Sequence, residues 1–227
     1  SLLPPGGLAG PDLYIERVDI SPDPVIGGDT ATVTIVVGGD IVLCDRVEIW
    51  VDGVSVGVFE PDYAFTTDTI RYVLDTSGLS GGVHSVKAMI DPDNSVTEVY
   101  EDNNNATANF TVWTVPYLIN LSKDMIETLP QTHFLKSAVR FLDLALWMYE
   151  RGRTDKTVSF LTDALYMVYR DGNHLEIEYT LLDTIRVALY GREYVDGLVE
   201  MSKGILFLVS FDVGVPAEPL LENALHH

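Results

Sequence analysis

Oxygen-bearing side chains crowd one stretch of the chain, Asp91-Pro92-Asp93-Asn94-Ser95-Val96-Thr97-Glu98-Val99-Tyr100-Glu101-Asp102-Asn103-Asn104. Ca²⁺ takes six to eight oxygen ligands, and a turn that gathers carboxylates and amides is where it would be held. Asp91, Asp93, Asn94, Glu98 and Glu101 are therefore the candidate Ca²⁺ ligands, and Ca²⁺ is the one cofactor expected. The same residues have a second use. Pro92 and Asn94 favour a turn, and Asp and Asn side chains cap turns by accepting from nearby backbone N–H groups. The spacing departs from the EF-hand pattern, so the metal and turn-capping readings both stay open.

Asn105-Ala106-Thr107, Asn109-Phe110-Thr111 and Asn120-Leu121-Ser122 are three N-glycosylation sequons whose asparagines fall within sixteen residues. Such a cluster suggests a glycosylated surface protein, with Asn105, Asn109 and Asn120 as acceptors. Asn105 and Asn109 lie four apart, so in a strand they share one face. Catalytic signatures do not emerge. The histidines (His84, His133, His174, His226, His227) make no zinc-holding spacing, and no nucleophile elbow, Walker loop or dinucleotide fingerprint occurs. Glu176 and Glu178 flank Ile177 on a helical stretch and point to different sides. The expectation is a protein that is not an enzyme.

The elements that carry these residues fall into two blocks. The 227 residues suffice for two domains, and 47% hydrophobic against 21% charged residues describes a packed chain rather than a disordered one. Net charge is −20, which argues against nucleic acid and anionic lipid as partners. Residues 1–115 hold 18 acidic and 4 basic side chains, and residues 116–227 hold 16 and 10. The first block therefore carries most of the charge. Cys44 is the single cysteine, so an intrachain disulfide is impossible, and it reads as a buried small residue. No apolar run reaches the ~18 residues of a membrane span.

Residues 1–10 read as an extended Pro/Gly arm. Leu2, Leu3 and Leu8 are its apolar contacts, expected to dock on its own domain or on a neighbouring copy. Residues 11–115 show period-two alternation with frequent turn signals, an all-β sandwich. Strands are expected at 13–20, 30–37, 46–51, 54–59, 69–74, 83–90 and 107–115. Asp52-Gly53 between Ile49-Trp50-Val51 and Val54-Ser55-Val56 marks a type I′ hairpin.

This block resembles the CARDB family, immunoglobulin-like adhesion-related domains of archaeal and bacterial surfaces. Asp91, Asn94, Val96, Glu98, Glu101, Asn103 and Asn104 fit its closing pattern D-x-x-N-x-V-x-E-x-x-E-x-N-N. Asp12-Leu13-Tyr14-Ile15 through Ser21-Pro22 to Gly27 fits its opening, and Val51–Gly57 fits its hairpin. One departure is Gly38-Gly39-Asp40-Ile41, where the family commonly has N-x-G. The resemblance implies an N-terminal immunoglobulin-like antiparallel sandwich and says nothing of an activity.

After Pro116 the period becomes helical. The reading places a linker at 116–122, with Asn120 or Ser122 as N-cap, a bundle at 123–212 and a tail at 213–227. Helices are expected at 123–129, 131–151, 156–169, 175–189 and 193–211, joined by loops short enough for an up-down bundle. Phe134, Ala138, Phe141, Leu142, Ala145 and Met148 form an apolar face. The tyrosines and Trp147 on these helices belong either to the core or to a contact belt. Together these features point to a non-enzymatic extracellular structural or adhesion protein, with copies of itself, other surface proteins or glycans as partners. A filament subunit fits this description. The competing expectation is a Ca²⁺- or carbohydrate-binding accessory module of a secreted system.

Overall fold

Alternation of apolar and polar residues builds the first unit, because strand side chains point to opposite faces in turn. In the computed structural model, which describes residues 10–43, 46–60 and 67–189, the chain divides between Trp113 and Thr114 into two units. The arm residues Leu2, Leu3 and Leu8, Cys44 and the helix expected at 193–211 lie outside the described residues.

Strands β1 (Leu13–Ser21), β2 (Val25–Ile26), β3 (Thr30–Gly39), β4 (Val47–Val51), β5 (Val54–Phe59), β6 (Thr67–Asp75), β7 (Gly82–Ile90) and β8 (Asn105–Trp113) form two sheets. One has the order β1-β3-β6 and the other β2-β8-β7-β4-β5. Ala31, Val33, Ile35 and Val37 of β3 face the core together with Val47, Ile49 and Val51 of β4 and Val86, Ala88 and Ile90 of β7. Each larger side chain among them stabilises the fold by roughly 1.5–3 kcal/mol on burial. A bulge between Ile15 and Arg17 resets the alternation of β1, so Leu13, Ile15 and Val18 all point inward.

Two local details explain the strand joints. Asp52 (φ 48°) and Gly53 (φ 80°) both take positive φ, as a type I′ turn demands. Gly39 also has positive φ (94°), and a Cβ there would lie 1.9 Å from the Asp12 carbonyl oxygen. The Gly38-Gly39 departure from the family turn is thus the place where β1 and β3 approach too closely for a side chain. Strand β2 leaves no signal in the sequence. It is two residues long, too short to show a period, and is held by parallel pairing with Val112 and Trp113 of β8.

The second unit is helical: α1 (Val115–Glu127), α2 (His133–Tyr149), α3 (Thr154–Asp171) and α4 (Leu175–Leu189). Among the described residues, helices α1 and α3 each pack against both α2 and α4, closing a four-helix arrangement. The linker expected at 116–122 is instead the body of α1. Thr114 is its N-cap, accepting from Tyr117 N at 3.3 Å, with Pro116 in the first turn. Proline is tolerated there because the first N–H groups of a helix have no intrahelical acceptor to lose. Ser122 is therefore no cap. It is buried in mid-helix, and its hydroxyl donates to Leu118 O at 2.9 Å. Leu135, Ala138, Leu142 and Ala145 of α2 are the fully buried positions, packed with Leu161, Ala164, Leu165 and Val168 of α3. Leu135 thus replaces Phe134 at the centre of the expected apolar face.

Candidate functional site

The segment from Asp91 to Asn104 turns back along β1, and its side chains bond inward to the scaffold. Asp91 (φ 47°) and Asn94 (φ 52°) both take positive φ, and Asn94 N donates to Asp91 O at 3.0 Å, closing the turn. The buried Asp91 carboxylate accepts from Ser95 N at 3.0 Å, Ser95 Oγ at 2.7 Å and Val96 N at 2.9 Å. Burial alone would raise its pKa, but these hydrogen bonds and the nearby Arg46 charge hold it below the usual carboxylate range.

Glu98 reaches across the sheet edge. One carboxylate oxygen accepts from Leu13 N and the other from Asn104 Nδ2 at 2.8 Å. Burial pushes its pKa up; those two bonds oppose the rise, while the Glu101 and Asp91 charges add to it. Glu101 accepts from Glu98 N at 2.9 Å. Asn103 Nδ2 donates to Asp12 Oδ1 at 3.0 Å, and Asp93 pairs with Arg46 at 2.5 Å. Ile15 N donates to Asn103 O and Val99 N to Pro11 O, both at 3.0 Å. The loop thus covers the edge of β1 that β3 leaves free, satisfying strand N–H groups that would otherwise invite another chain.

These bonds determine how the expected Ca²⁺ site stands. Asp91, Asp93, Asn94, Glu98 and Glu101 do not converge. Asp91 caps its own turn, Asp93 points to Arg46, exposed Asn94 supplies the turn geometry, and the two glutamates hold the loop. Among the described residues no group of three or more His, Cys, Asp or Glu side chains is arranged to hold a metal ion. As placed, the residues do not fit a Ca²⁺ site. The buried Oδ1 atoms of Asn103 and Asn104 have no hydrogen-bond partner among the described residues.

The sequon residues Asn105 and Asn109 are exposed and share the outer face of β8 with Thr107 and Thr111, and Asn120 is exposed on α1. Arg46 and His84 carried no sequence signal, and Asp12 carried one only as part of the opening pattern, not as a partner of this loop. Asp12 and Arg46 meet the loop from dozens of residues away, and His84 on β7 contacts Asp52 of the β4–β5 turn. Only the fold could bring them together.

No protein-family profile matches the chain, and no curated protein does. Solved structures similar to it include the CARDB domain of a Pyrococcus furiosus protein in complex with di-metal ions. That likeness is 22% identical, covers 45% of this chain and 94% of that domain, and has a TM-score of 0.37. A domain of a candidate cell surface protein from Methanosarcina acetivorans is 24% identical, over 45% of this chain and 92% of that domain, with a TM-score of 0.32. The β unit is what these matches cover, and no helix among the described residues is long and apolar enough to cross a membrane.

Proposed function

We propose that this chain is a non-enzymatic structural or adhesion protein of the cell exterior, with the sandwich as its interaction module and the helices as spacer or assembly domain. The observation that carries the reading is the contrast between the two kinds of sheet edge. Of the side chains richest in potential chemistry, Glu98 accepts from Leu13 N of β1, while Asp91, Glu101 and Asn103 hold in shape the loop that covers this strand. Strand β5, at the end of the five-stranded sheet, has no charged residue from Val54 to Phe59, and Val54 and Val58 are 65% and 56% exposed. Charges and prolines are the usual protection of such an edge, so an uncharged one is suited to pairing with another strand. The partner is a copy of this chain or another surface protein.

Light scattering on the full chain at rising protein concentration and rising salt tests this. The β unit carries most of the net charge, so screening should favour association between copies. Val58→Lys should abolish whatever association the native chain shows. A chain that stays monomeric under all conditions, with and without a surface extract, would remove the assembly reading. That result would leave the accessory-module alternative, for which the readout is binding to immobilised polysaccharide.

A further inference from the structure

His84 lies on β7 facing the sandwich core, only 8% exposed, with its ring against Phe110 of β8 at 5.5 Å between centroids. Both ring nitrogens meet oxygens. Nδ1 is 2.6 Å from Asp52 Oδ2 and Nε2 is 2.8 Å from the Ser80 carbonyl oxygen. A carbonyl oxygen only accepts, so Nε2 must carry a proton; an ionised carboxylate only accepts, so Nδ1 must carry one too. Asp52 is suited to remain ionised, since its Oδ1 accepts from Ser85 N at 2.9 Å. Neutral imidazole has a single N–H and would turn a lone pair toward one of the two oxygens. The arrangement is built for the imidazolium.

The ring joins segments that are otherwise separate. Asp52 forms the β4–β5 turn, and Ser80 belongs to the connection that carries the chain from β6 in one sheet to β7 in the other. We propose that His84 is a proton-operated latch: charged, it ties the edge hairpin β4–β5 to the crossover between the sheets, and loss of one proton releases one of the two ties. The groups that face the ring are Asp52 from the hairpin, the uncharged Phe110 from β8 and the Ser80 carbonyl from the crossover. On its own strand the neighbour is Ser85, whose amide and hydroxyl both reach Asp52 Oδ1. Asp52 is the charged group among the described residues that acts on it.

Burial by itself would lower the pKa of His84, but the bonds to Asp52 and Ser80 and the Asp52 charge raise it above the ordinary imidazole value. A histidine whose folded pKa is raised contributes stability that is fully present below its unfolded pKa. That stability is lost as pH rises through the folded value. The latch is therefore closed on the acidic side and opens toward alkaline pH. The hairpin it holds includes β5, so access to this edge follows pH whether or not the edge serves assembly.

Long-range ¹H–¹⁵N correlation spectra of the full chain, recorded from about pH 5 to about pH 9, read the state of each imidazole. Amide exchange across Asp52–Val56, corrected for intrinsic pH dependence, reads the hairpin. The expected result is a His84 imidazolium that persists above the pH at which free imidazole is half neutral, with hairpin opening increasing several-fold as it titrates. Asp52→Asn is the discriminating variant. Asn tolerates the positive φ of the turn and keeps an oxygen for Ser85 N, so the hairpin persists while the charge is gone. In this variant His84 should titrate at or below free imidazole, and the pH dependence of hairpin opening should vanish. His84→Gln should remove it as well. The proposal is overturned if native His84 titrates like free imidazole, if D52N leaves its titration unchanged, or if hairpin exchange ignores the titration.

Discussion

Replacing Asp91 with alanine is the sharpest probe of how the closing loop is held. The substitution removes a buried carboxylate that accepts three hydrogen bonds, from Ser95 N, Ser95 Oγ and Val96 N. Bonds to a charged group are worth about 1.5–3 kcal/mol each, but Ser95 is exposed and its freed donors can turn to water, so about 2–4 kcal/mol should be lost in total. The φ of 47° adds roughly 1–2 kcal/mol for a residue with a Cβ and no side-chain oxygen. Asp91→Asn keeps the tolerance for positive φ and one acceptor, and should cost about half as much. Native-state amide exchange of β1 and β3 reads the stability of the sandwich without interference from the helices. The pH dependence supplies a second readout. Asp91 has a depressed pKa, so its contribution is present above the unfolded value and disappears as pH falls through the folded one. That acid-side loss should be weaker in D91N. A cost for D91A below about 0.5 kcal/mol, the range of ordinary surface substitutions, would refute the capping argument.

Other outcomes follow from the same geometry. Millimolar Ca²⁺ and chelator should give the same melting curve, because Asp91, Asp93, Glu98 and Glu101 are already hydrogen-bonded or paired; a melting temperature raised by Ca²⁺ would show that they rearrange around the ion. Gly39→Ala should disrupt pairing of β1 with β3, seen as faster exchange in both strands, since its Cβ would fall 1.9 Å from a backbone oxygen. Glu98 has a raised pKa, so keeping it ionised costs stability. The sandwich should therefore gain stability as pH falls through that value, and Glu98→Gln should flatten this part of the pH–stability profile.

Much of the β unit was legible because its cause is local. Alternation places β3, β4 and β7, and Asp52-Gly53 marks its turn without reference to the rest of the chain. The turn at Asp91–Asn94 is equally local, since proline and asparagine carry their own backbone preferences. The start of α1 is not legible in the sequence, for the opposite reason. Pro116 reads as a breaker in a linear pattern, and its compatibility with a first helical turn shows only once Thr114 is seen capping the helix.

The chain by itself therefore determined most of the longer strands and helices, though not β2 or the start of α1, and that oxygen-rich side chains crowd one loop. Only the tertiary structure decided what those oxygens do. Glu98 meets Leu13, Asp12 meets Asn103, Arg46 meets Asp93, and His84 lies between Asp52 and Ser80. A carboxylate is a turn cap, a strand staple or a metal ligand according to which donors or ions surround it. In this chain the neighbours of Asp91 and Glu101 are local, whereas those of Glu98, Asn103 and Asp93 include residues from distant parts of the sequence, and hydrogen-bond geometry, which acts only over about 3 Å, selects among the roles.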